Sequence, residues 1–120
     1  MVALVTNDGL SNVMSAWAAY ASRPQYLQYG TGSGQSASDT DLAAAVQSRV
    51  AASTSLVTTN VAGDTLLVTG TITADTDRTI TEVGAFDALS GGSLDVYGDF
   101  NAIDLANGDA IVFSISITVS

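Results

Sequence analysis

The sequence predicts a mainly β fold, an antiparallel β-sandwich of jelly-roll type fronted by one N-terminal α-helix, and three observations carry that expectation. Apolar and polar residues alternate through Leu66–Thr73, Thr79–Phe100 and Ile111–Ser120. Turn residues separate these runs at Gly63-Asp64, Gly91-Gly92 and Asn107-Gly108-Asp109, about every ten to fifteen residues along the chain. Only one stretch, near the N-terminus, has helical spacing, so repeated βαβ units are not expected.

That helix is expected from about Asn7 to Ala21, because Leu10, Val13, Met14, Trp17 and Ala21 fall on one face. Thr6 or Asn7 can cap its first turn, Asp8 complements the positive end of the dipole, and Arg23-Pro24 stops it. Trp17 then points into the core or an interface. Strands follow from about residue 25. Tyr26–Tyr29 is a short one running into the glycine-rich Gly30–Gly34, and Gln35–Thr40 reads as a polar, flexible loop. The alanines of Asp41–Val50 favour one or two helical turns, after which β-branched residues predict a strand from about Arg49 to Asn60.

Beyond the Gly63-Asp64 turn, Leu66, Val68, Gly70 and Ile72 share one face and Leu67, Thr69, Thr71 and Thr73 the other. Thr79–Phe100 reads as two strands joined by Gly91-Gly92. Period-two alternation puts Ile80, Glu82, Gly84 and Phe86 on one face of the first, and Leu94, Val96, Gly98 and Phe100 on one face of the second. At the C-terminus Ile111, Phe113, Ile115, Ile117 and Val119 form an apolar row that alternates with polar residues.

The chain has 120 residues, a length that suits one domain spanning 1–120. Apolar residues make up 47% and charged ones only 12%, a surplus that commonly ends in a subunit interface. Twelve acidic residues against three arginines give a net charge of −9, which repels a phosphate backbone, so nucleic acid is not an expected partner. Without Cys there are no disulfides or thiol nucleophiles, and without His the commonest base near neutral pH is missing. The first eight residues have no basic segment and reach Asp8 before an apolar run long enough for a signal peptide. No segment is long enough to span a bilayer, and folding in a cytoplasm, with no membrane partner, is expected.

Three constellations could carry chemistry. Gly30-Thr-Gly-Ser-Gly-Gln35 lacks the third glycine of a dinucleotide fingerprint, and neither a helix pattern nor a Lys-Ser/Thr pair follows it, so it reads as a loop rather than a phosphate site. Asp39/Asp41, Asp75/Asp77, Asp95/Asp99 and Asp104/Asp109 could hold a hard cation. None matches a calcium loop, and they read as turn aspartates bonded to their own backbone. No paired-carboxylate cleft is expected, and neither a metal, a cofactor nor a catalytic set is assigned. Glu82 stands apart, since a carboxylate on an apolar strand face costs several kcal/mol unless partnered. It is expected to act structurally, accepting hydrogen bonds from a neighbouring loop's amides or from Arg49 or Arg78. The alternative is an edge or bulge that turns it to water.

The order of segments also resembles small structural proteins of tailed bacteriophages. Thr-Asn-Asp-Gly-Leu opens a short helix, Pro-Gln-Tyr-Leu-Gln-Tyr-Gly-Thr-Gly and Ser-Asp-Thr-Asp-Leu follow, and then an arginine strand, Thr-Ile-Thr-Glu-Val-Gly-Ala-Phe-Asp and Gly-Gly-Ser-Leu. Similar chains occur as capsid decoration (cement) proteins and as tail-fibre or baseplate components. The resemblance implies a non-enzymatic sandwich on the capsid exterior, bound to the major capsid protein and assembled as a homotrimer. Glu82, Val83, Gly84 and Phe86 would then be structural residues, beside Trp17. Contacts would fall on the Gly30–Thr40 loop with Gly30, Gly32 and Gly34, on the arm Met1–Val5, and on Tyr20, Tyr26 and Tyr29. A carbohydrate-binding sandwich using exposed Trp17 or Tyr97 is the competing class.

Overall fold

Thr6 caps the first helix with extended backbone (φ −74°, ψ 169°), its hydroxyl accepting from the Gly9 N–H at 3.2 Å. This computed structural model describes residues 1–118. Helix α1 runs Asn7–Ala19 and stops two residues before the expected end, where Tyr20 turns extended and its N–H returns to the Trp17 carbonyl. Of the apolar stripe only Met14 is fully buried, while Leu10 and Trp17 are half-buried and Val13 lies exposed. Burying Met14 against the sandwich is worth about 2 kcal/mol. The helix packs on strands β3 and β4, defined below, and Ser11 donates its hydroxyl to the Ala62 carbonyl at 2.6 Å.

Among the described residues seven strands follow: β1 Tyr26–Gly30, β2 Val50–Ala51, β3 Ser53–Val57, β4 Thr65–Thr73, β5 Arg78–Phe86, β6 Leu94–Leu105 and β7 Ala110–Thr118. They form two antiparallel sheets, β2-β1-β5-β6 and β3-β4-β7. Among the described residues the fold is therefore mainly β, two antiparallel sheets with a single N-terminal helix, and the two sheets are consistent with a β-sandwich. Between the sheets lie Leu27, Tyr29, Val68, Ile72, Ala74, Ile80, Val83, Ala85 and Leu105, with Phe100, Phe113, Ile115 and Ile117 packed against them while half-exposed. Of the expected C-terminal row, Val119 lies outside the described residues.

Two expectations give way. Residues 41–49 contain no helical turn, because the alanine run is held by tertiary bonds that outweigh its propensity: Thr31 N–H donates to the Ala44 carbonyl at 3.0 Å, and Gly30 bridges Ala45. The single strand expected over Arg49–Asn60 is two strands in different sheets. The chain crosses between them at Ala52, whose N–H donates to the Gln25 carbonyl at 2.8 Å.

The face expected for Ile80, Glu82, Gly84 and Phe86 also divides. Ile80 pairs with Ile103 and Glu82 with Asp99, so one residue on β5 opposes three on β6 and the pleat changes phase. Ile80 consequently joins Val83 and Ala85 in the inter-sheet core, and Glu82, Gly84 and Phe86 turn to the outer face of the sheet. A second irregularity between Ala85 and Phe86 sends Leu94 outward toward Gly84, while Val96 and Phe100 pack inward.

Candidate functional site

Residues 31–45 roof the outer face of the four-stranded sheet, and Glu82 lies beneath them, fully buried. Its neighbour across β1 is Gly30. A Cβ at Gly30 would overlap Glu82 Oε1 and come within 2.5 Å of the Ala44 carbonyl oxygen, while one at Gly32 would lie 2.5 Å from the Ala43 Cβ. The two glycines are thus what let the roof settle directly on the carboxylate. Ala44 N–H donates to Glu82 Oε1 at 3.0 Å, and the Tyr97 hydroxyl donates to Oε2 at 3.1 Å. Burial, and then the hydrogen bond to Glu82, push the Tyr97 phenol up to about 12.

Neither expected arginine reaches Glu82. The Arg49 guanidinium lies 3.6 Å over the Phe86 ring and donates to the carbonyls of Ala88 (2.8 Å) and Gly91 (2.7 Å), which fastens the β5–β6 turn. Arg78 pairs with Asp75 at 2.6 Å. Glu82 is satisfied by an amide and a phenol, so the roof is held to the sheet through a buried acceptor.

Gln47, which no sequence signal singled out, fastens the chain just after the roof to the core residue Tyr29 and to the end of β4. It accepts the Tyr29 hydroxyl at 2.5 Å, donates to the Thr73 carbonyl at 2.7 Å, and its own carbonyl accepts from Gln28. Asp64, noted only as part of a turn, is buried and accepts the N–H groups of Thr59 (2.9 Å), Asn60 (3.0 Å) and Val61 (2.9 Å). These backbone bonds, Thr59's foremost, hold its carboxyl well below the usual range.

Beside Tyr97 a cavity of about 270 Å³ opens between the roof and the start of β6, lined by Gln35, Ser36, Ala37, Asp39, Leu94, Asp95, Val96 and Tyr97. Asp95 Oδ2 is buried there without a hydrogen-bond partner. Burial first, and the charge of Asp87 second, push the Asp95 carboxyl up to about 6. The cavity can therefore present a carboxyl that changes charge at mildly acidic pH.

Most of the other paired aspartates fasten backbone amides, while Asp75 pairs with Arg78 and Asp104 accepts the Thr79 hydroxyl at 2.6 Å. Asp39 accepts from Ser36 N–H at 2.6 Å, Asp77 from Asn107 N–H at 2.8 Å, Asp99 from Gly34 N–H at 3.3 Å and Asp109 from Ala106 N–H at 2.8 Å. Among the described residues no group of three or more acidic, His or Cys side chains is placed to hold a metal ion.

The expected contact residues separate. Tyr20 is exposed, Tyr26 and Gly32 are half-buried, and Gly34 sits on the surface at φ 74°. Tyr29 and Gly30 are corrections: Tyr29 is wholly buried with its hydroxyl on Gln47, and Gly30 is covered by Glu82 and Ala44, so neither offers a free surface. Trp17 is half-buried on α1, Val83 lies in the inter-sheet core, and Gly84 and Phe86 are buried under the roof beside Leu42. Comparison of the chain with protein-family models and with curated proteins finds no match.

Proposed function

We propose that this chain is a non-enzymatic structural protein of a tailed-bacteriophage particle, a capsid decoration (cement) protein bound to the major capsid protein on the outer surface of the head. The observation that carries the reading is the arm Met1–Val5. Its side chains are uncharged, it forms no helix or strand, and Met1, Val2 and Leu4 are 120, 97 and 87% exposed. An apolar arm held off an acidic body gains by lying on a partner surface. The roof over Glu82 supports the same reading, because a loop pinned at both ends presents a fixed shape for contact at little ordering cost. A net charge of −9 suits a surface that faces solvent rather than packaged DNA. Modest contacts repeated over a coat lattice would hold neighbouring subunits together by avidity.

The test is the copy number of the chain in purified particles, measured by quantitative mass spectrometry against the major coat protein, together with rebinding of a variant lacking residues 2–5. A copy number comparable to the coat protein, with rebinding lost in the shortened arm, is the expected result. A handful of copies would move the chain to the tail fibre or baseplate, and its absence from particles would overturn the reading.

A further inference from the structure

Among the described residues the sandwich has four edge strands, and three have features that oppose the addition of a further strand. β2 is two residues long. β6 carries Asp95, Asp99 and Asp104 and is broken by two irregularities. β3 has only five residues. The fourth edge, β7, has none of these. Its nine residues, Ala-Ile-Val-Phe-Ser-Ile-Ser-Ile-Thr, contain no charge, no proline and no glycine, and they pair with β4 without a break in register. Among the described residues β4 is its only neighbour in the sheet.

The side chains add a second, independent observation. Ile111, Phe113, Ile115 and Ile117 point toward the inter-sheet core, yet all four remain half-exposed at this edge. Phe113 meets Phe100 across the gap between the sheets, ring centroids 6.1 Å apart. On the outer side Val112 is 68% exposed. The edge is thus open along both its backbone and its apolar row.

Charge selects the occupant. On a body of net charge −9, β7 is a long charge-free strip: it offers a cationic partner no carboxylate, and it is where two like-charged copies can meet without setting acid against acid. We propose that β7 pairs antiparallel with β7 of a second copy about a two-fold axis, joining two three-stranded sheets into one of six strands. A two-fold near Ser114 places Phe113 opposite Ile115 of the second copy and Ile111 opposite its Ile117, so apolar faces apolar and Ser, Thr and Val112 line the outside. The threefold assembly implied by the family resemblance would need β7 to find a different edge, and of the other three β2 and β3 are short while β6 is acidic and broken in register. The pairing does not depend on the decoration reading, and its test uses the isolated chain.

Sedimentation velocity across a concentration series should show a monomer–dimer equilibrium. Ser114→Lys, on the exposed side of β7, should raise the dissociation constant about tenfold or more, since lysine on an edge opposes pairing and two-fold symmetry sets like charges near one another. Ser116→Lys should do the same, whereas lysine at exposed Asn101 on β6 should not. Mixing Ser114→Lys with Ser114→Asp chains should restore the dimer. Circular dichroism melts identify the folded variants to be compared. A monomer up to about 1 mM, a trimer, or a dimer indifferent to both β7 lysines would overturn the proposal.

Discussion

The Tyr97 hydroxyl donates to Glu82 Oε2 at 3.1 Å from the paired strand, while Oε1 takes the Ala44 N–H of the roof at 3.0 Å. One buried carboxylate therefore couples the β5–β6 hairpin to a loop nearly forty positions earlier in sequence. Glu82→Ala would strand both donors and leave a void, at an expected cost of about 3 kcal/mol. Asp95→Ala removes an oxygen that has no partner and should stay within about 1 kcal/mol of the parent. Urea unfolding at pH 7 decides it: equal midpoints for the two variants would remove Glu82 from its central place.

The same contact is visible spectroscopically. Tyr97 should ionise near 12, mainly because it is buried and secondarily because it donates to Glu82. Glu82→Gln keeps an acceptor but removes the negative charge, so the midpoint should fall part of the way toward the ordinary tyrosine value near 10. Ultraviolet titration of the parent and the variant, with Tyr97→Phe to assign the transition, reads this directly. An unmoved midpoint would mean that burial alone sets the phenol.

Glycine positions separate two kinds of backbone need. At Gly30 a methyl group would run into Glu82 and the Ala44 carbonyl, neither of which can retreat without lifting the roof. Gly30→Ala should therefore cost about 2 kcal/mol or more. Gly34 has nothing within 4 Å of its would-be Cβ, but its φ of 74° is left-handed, so Gly34→Ala should cost only about 1 kcal/mol. Thermal melts of the two variants should rank in that order, and the reverse order would place the roof's constraint in its exposed turn.

Local signals account for the elements that sequence reasoning located. Alternation and turn glycines marked β4, the β5–β6 hairpin and β7, and the Thr6 cap with its apolar spacing marked α1. Failures fell where a distant contact decides. The alanines of 43–45 have helical propensity but are claimed by Glu82, Thr31 and Gly30. Ile80 and Glu82 share sequence parity, yet an irregularity between them sends one inward and the other beneath the roof. Glu82 was legible as an anomaly because its own strand is apolar. Its partners were not, since an amide from the alanine run and a phenol one strand away leave no mark in the local pattern. Gln47 gave no signal at all, being one polar residue in a mixed segment whose partners lie on β1 and at the end of β4.

Asp95 should make stability fall as pH rises through mildly acidic values. Its folded carboxyl titrates near 6, above the unfolded value near 4, so the native state holds the proton more tightly. Its favourable contribution is complete below about pH 4 and is lost by about pH 6 to 7. The side chain is partly open to water, so the effect after screening is about 1 kcal/mol. Asp95→Asn should be more stable than the parent at pH 7.5 and lose that advantage at pH 4. Chemical denaturation at the two pH values checks it, and a constant difference would show that the carboxyl is not titrating in this range.

Asp64 should act in the opposite sense at lower pH. Three backbone N–H groups and the Thr65 hydroxyl favour its ionised form, so its folded carboxyl titrates well below its unfolded value. The stability it contributes is complete above about pH 4 and drains away as pH falls below that point. Asn at position 64 keeps one acceptor oxygen but not the charge, so Asp64→Asn should melt well below the parent at neutral pH. Because the variant has no acid to protonate there, its melting temperature should fall less steeply between pH 4 and pH 2, and the two curves should converge. Parallel curves would mean that this turn is held by packing and by its hydroxyl bonds, with the carboxylate charge contributing nothing.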